Sequence, residues 1–60
     1  MIWQMLLDLA KAGVQRVWLT DEAFDYAKLE LQRRYHQPFQ EEATWIMVRN
    51  MRVGRKLDRL

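Results

Sequence analysis

The tightest constraint on this chain is that it has almost nothing to staple it. Sixty residues include no cysteine and one histidine, His36. A domain of this length buries only about 60% of the surface its unfolded chain exposes, so it sits close to the limit of independent stability. Disulfides, a thiolate zinc site and a cysteine nucleophile are excluded, and a lone imidazole makes no transition-metal site without suitably spaced carboxylates. No cofactor is therefore expected, and the cysteine usage fits a reducing, cytoplasmic setting. Association is the staple that remains. Half the residues are hydrophobic, three of them tryptophan, which is ample apolar surface for one domain to share with a second copy or a protein partner.

Glycine and proline divide the chain. Gly13 closes the first segment, Pro38 opens the last and Gly54 lies near its end. No linker is long enough to separate domains, so residues 1–60 read as one small domain. The opening stretch is interrupted by Gln4, Asp8 and Lys11 well short of the roughly 20 apolar residues a membrane span needs. It reads as neither a signal peptide nor a transmembrane helix.

Periodicity predicts an all-α, mainly helical fold: a compact three-helix domain with helices at about 2–12, 21–35 and 39–53. In the first, Ile2, Met5, Leu6 and Leu9 follow the helical repeat, and Gly13 can adopt the left-handed conformation that ends it. In the second, Thr20 is a good N-cap, Asp21 and Glu22 suit the first turn, and Phe24, Ala27, Leu31 and Tyr35 form a stripe. Glu30 can pair with Arg33 and Arg34 on the same helix. The third begins at Pro38, with Phe39, Ala43, Ile46, Val53, Leu57 and Leu60 alternating four and three residues apart and Asn50 in the same seam, where asparagine can set register. The continuous apolar run Trp45–Val48 supports a strand as the competing reading of that segment. Residues 14–19 read either as a short strand or as a connector carrying apolar anchors.

Two surfaces emerge for contact with macromolecules. Tyr26 and Leu29 form a second apolar strip behind helix two, and Met47 and Met51 supply adaptable side chains that could join them; with Asn50 these are the candidate self-association residues. The other surface is basic. Residues 43–60 carry Arg49, Arg52, Arg55, Lys56 and Arg59 against Asp58 alone, and Trp45 lies one helical turn before Arg49. Cations that reach phosphates beside a ring that can stack on a base fit nucleic acid, whereas the same residues also make a tryptophan covered by arginine stems.

Catalysis has little to stand on. Asp21 with Asp25, and Glu41 with Glu42, are carboxylate pairs, but acid–base chemistry needs a shaped cleft around them, and helix-start charge explains their positions. No small-molecule substrate is expected, and no glycine-rich phosphate loop is present. The chain reads as a small non-enzymatic binding or regulatory protein that self-associates.

The stretch Val-Trp-Leu-Thr-Asp-Glu-Ala-Phe, followed by an amphipathic helix, a short turn and Glu41, resembles the ribbon-helix-helix DNA-binding proteins over residues 14–51. The resemblance implies a dimeric transcriptional regulator whose paired strands enter the major groove. Val14, Arg16 and Trp18 would then face the groove, with Val17 and Leu19 turned inward. The chain departs from that family at the turn, where His36-Gln37-Pro38-Phe39-Gln40 replaces the usual glycine followed by serine or threonine.

Overall fold

The computed structural model describes residues 2–39 and 41–56. Their order is helix α1 (Ile2–Lys11), strand β1 (Arg16–Leu19), helix α2 (Asp21–Tyr35), strand β2 (Trp45–Val48) and strand β3 (Met51–Arg55). The protein is thus α+β, with both helices on one face of a three-stranded mixed sheet. It is not a three-helix bundle.

The first two helices lie where periodicity places them. Helix α1 stops at Lys11, and Gly13 follows at φ +92. The Gly13 amide donates to the Ala10 carbonyl at 3.1 Å and the Val14 amide to the Leu9 carbonyl at 3.1 Å. This crossed pair satisfies carbonyls the helix would otherwise leave bare, and it needs the left-handed residue that glycine supplies. At the start of α2 the Thr20 hydroxyl accepts from the Ala23 amide at 3.3 Å, and after Tyr35 the left-handed His36, at φ 57, caps the helix. Glu30 is held by Arg33 at 3.1 Å and Arg34 at 2.8 Å.

The expected third helix at 39–53 is a connection followed by a β-hairpin. Strand β2 pairs antiparallel with β3, placing Ile46 opposite Val53 and Val48 opposite Met51 around a turn of Arg49 and Asn50. Arg49 has φ 56. The alternative of a strand at Trp45–Val48 is the arrangement adopted. Asn50 sits in the turn, not in a helical seam, and Leu57, Leu60 and Arg59 lie outside the described residues.

Residues 16–19 form β1, which pairs in parallel with β3 and makes the sheet order β1-β3-β2. The second helix implied by the ribbon-helix-helix resemblance is replaced by the β2–β3 hairpin, and β1 pairs within its own chain.

Alternation sorts the strand residues onto two faces. Leu19, Ile46, Val48, Met51 and Val53 point inward and join Trp3, Leu6, Phe24 and Ala27 in one buried core. At the end of β3, Arg55 also turns inward over the Phe24 ring, 4.9 Å from its centroid. Its guanidinium donates to Asp21 at 3.2 Å and Asp25 at 3.3 Å. The hydrogen bond to Asp21 is the main cause holding its pKa above the ordinary arginine range, so its charge is fixed wherever the protein is folded in water. No helix among the described residues is long and apolar enough to cross a membrane.

Candidate functional site

The second face of the sheet is covered by neither helix. Strand register lays its side chains out in two rows. Trp18 of β1, Gly54 of β3 and Trp45 of β2 are aligned across the sheet, and next to them run Arg16, Arg52 and Met47. Neighbouring strands lie about 4.8 Å apart, so the two tryptophan backbones stand about 10 Å apart with glycine between them. Every other side chain in these rows is large, and no carboxylate is among them.

Gly54 decides the shape. A side chain at this central position would fill the space between the indoles. In its absence the Trp18 ring lies down over β3, with Cζ3 only 2.6 Å from where a Cβ would be. Gly54 is buried by this ring although it belongs to the open face. Between the indoles remains a slot of about 120 Å³, walled by Trp18 and Trp45 and rimmed by Arg16, Arg52 and Thr44. Pockets for drug-sized ligands run to about 300 Å³ or more, so this one suits a single flat group on an extended ligand. Trp18 is 38% and Trp45 48% exposed, and the Arg52 guanidinium lies 4.3 Å from the Trp45 ring centroid.

The candidate residues are redistributed by this fold. Trp45, Arg52, Arg16 and Trp18 come together, although they stem from two separate readings, the basic segment and the groove-facing strand. Val14 precedes β1 and packs against the core. Arg49 is exposed in the hairpin turn and Lys56 is exposed just beyond β3, both at the margin of the face. Arg55 is half-buried on the helix-covered face. The basic side expected from helical spacing is therefore broken up, because strand geometry sends Arg52 and Arg55 to opposite faces.

The self-association set is divided in the same way. Met51 is fully buried and offers no surface. Leu29 is exposed and Tyr26 half-buried on α2, and Leu29 projects away from the buried Phe24 and Ala27. Met47 is exposed on the edge strand β2, across from Arg52. The methionines and the Tyr26–Leu29 strip do not form one patch.

Gly54 is the site residue that sequence reasoning missed. A glycine inside an apolar strand pattern marks close approach of another group, but that signal is lost once the segment is read as helix. Among carboxylates, Asp21 and Asp25 are tied to Arg55, and Glu41 and Glu42 are exposed in the connection before β2. No group of three or more metal-ligating side chains occurs among the described residues. Comparison with protein-family models, curated proteins and solved structures finds no match for the chain.

Proposed function

We propose that this protein is a non-enzymatic binding module that takes single-stranded nucleic acid on the open face of its sheet. The observation that carries the reading is the Trp18–Gly54–Trp45 row beside Arg16 and Arg52. Indole faces stack on bases of any sequence, and the neighbouring guanidiniums meet the phosphates that follow the bases along the strand. Bases in a duplex already stack on each other, so flat exposed rings favour the single strand.

Magnitudes support exchange of the internal contact for the external one. An exposed cation–π pair such as Arg52 on Trp45 contributes about 0.5–1 kcal/mol. Stacking of one base on an aromatic side chain contributes about 1–3 kcal/mol. A base can therefore displace the guanidinium, which remains close enough to turn to a phosphate. With Arg16 and Arg52 as the phosphate contacts, log K should fall with log salt at a slope of about −1.4, and Arg52→Ala should reduce that slope by about 0.7.

The test is titration of a labelled oligothymidine and a matched duplex at low and moderate salt. Trp45→Ala and Trp18→Ala should each weaken single-strand binding by about tenfold or more without changing the salt slope. Equal or tighter binding to the duplex would overturn the single-strand reading. Absence of binding to either at low salt would end a nucleic-acid role for this face.

A further inference from the structure

We infer that the free edge of β2 joins the same edge of a second copy, giving a two-fold dimer with one continuous six-stranded sheet. The inference concerns the chain without nucleic acid and does not depend on that ligand.

It begins with the ladder between β2 and β3. Val48 and Met51 close the two-residue turn as a hydrogen-bonded pair, and the Arg55 amide donates to the Thr44 carbonyl at 3.1 Å. Hydrogen-bonded pairs alternate along an antiparallel ladder, so Thr44, Ile46 and Val48 direct their backbone groups at β3. Trp45 and Met47 direct theirs the other way, to the sheet edge, where no backbone partner is found among the described residues. Alongside is a groove of about 520 Å³, bordered by Lys28, Leu31, Gln32, Gln37, Pro38 and Glu42.

Edge strands are usually protected by charge, proline or a bulge. Strand β2 is Trp-Ile-Met-Val and has none of these, whereas the opposite edge, β1, begins with Arg16. The occupant follows from self-complementarity. If two β2 strands meet antiparallel, centred on Ile46, Trp45 of each exchanges N–H and C=O with the partner's Met47. Side chains directly opposite each other share a face. The exposed Met47 then lies beside the partner's Trp45, a sulfur–aromatic contact, and Ile46 meets the partner's Ile46 on the core side. No charge faces a like charge along this seam. The two-fold axis is perpendicular to the sheet, so both open faces point the same way and their Trp–Gly–Trp rows lie side by side. The seam is short compared with obligate interfaces, so the association is a reversible one.

The chain is short enough for total synthesis, so the backbone itself can be tested. Sedimentation of the unmodified protein from micromolar to millimolar concentration should show reversible monomer–dimer exchange. N-methylation of Met47 removes a donor at the β2 edge and should weaken the dimer by at least roughly tenfold. Helical and sheet circular dichroism of the monomer should persist. N-methylation of Trp18 is the control: the Arg52 amide donates to Gln15, so in the alternating parallel ladder Trp18 faces the other free edge. This second change should leave dimerisation intact. A monomer at all concentrations would overturn the inference, as would a dimer sensitive to Trp18 methylation and indifferent to Met47. If methylated Met47 fails to fold, amide exchange in the unmodified chain decides the matter. Protection of the Met47 amide should increase with protein concentration, and protection independent of concentration would mean an internal partner and refute the dimer.

Discussion

A Cβ added at Gly54 would stand 2.6 Å from Cζ3 and 2.8 Å from Cε3 of Trp18, closer than carbon atoms can approach. The backbone of β3 is fixed by pairing on both sides, so the indole must give way. Trp18 is already more than one-third exposed and can swing outward. Gly54→Ala should therefore cost only about 1 kcal/mol, the low end for overpacking. Its larger effect should be on the slot: with 5-fluorotryptophan, the Trp18 resonance should move while that of buried Trp3 stays in place, and oligonucleotide affinity should drop. An unmoved Trp18 signal would contradict the close approach. Arg49 makes the opposite case. Its φ of 56 is unfavourable for a side chain that has no local means of compensating it. Arg49→Asn places a residue that tolerates this region and should stabilise the fold by about 0.5–1 kcal/mol, raising the melting temperature by about 4 °C. A lower melting temperature would mean that Arg49 makes a contact outweighing its strain.

Elements depend on how such residues are spaced, and here spacing explains both what could be read in advance and what could not. Helices α1 and α2 were legible because each carries its own local signals: the Gly13 stop, the Thr20 cap and a consistent apolar stripe. The hairpin was not. Residues seven apart share a face of a helix, but they are also cross-strand partners around a suitably placed two-residue turn, and Ile46 and Val53 are such a pair. Arg-Asn is also a weak turn signal beside the Asn-Gly that usually marks these hairpins. The sequence leaves residues 14–19 open between a strand and a connector, and the pairing of β1 with β3, from beyond α2, is not legible at all, because long-range pairing leaves no trace in local pattern. The connection between α2 and β2 is held by a residue with no periodic signature. Lys28 is buried, with its ammonium 3.0 Å from the Glu41 carbonyl and 3.5 Å from Asp25, and lies over the Phe24 and Phe39 rings at 5.3 and 5.0 Å. Lys28→Ala removes the charged hydrogen bond and the stem that fills this space, and should cost about 2 kcal/mol. Amide exchange should accelerate at Ile46 and Val48, which follow the clasped connection and pair with β3, more than in α1. Uniform acceleration would indicate a general loss of core packing and not a local clasp.

For the whole molecule, the decisive property is that a small core stabilises a sheet with one face left open. Nine buried apolar side chains among the described residues make up that core, and the two tryptophans that could have enlarged it stand outside. Ligands that bind only the folded form stabilise it by mass action, by about 2.7 kcal/mol at one hundred times the dissociation constant. In a domain near this size each kcal/mol is worth about 4–8 °C. Saturating oligothymidine at low salt should accordingly raise the melting temperature by about 10 °C or more. The identity of the ligand can be separated from its charge in the same experiment, because polyphosphate of equal charge offers phosphates without bases. If indole stacking matters, oligothymidine should give the larger shift, and Trp45→Ala should reduce its advantage over polyphosphate. Equal shifts from the two polyanions would leave only a basic surface, and no shift from either would leave the open face without a nucleic-acid role.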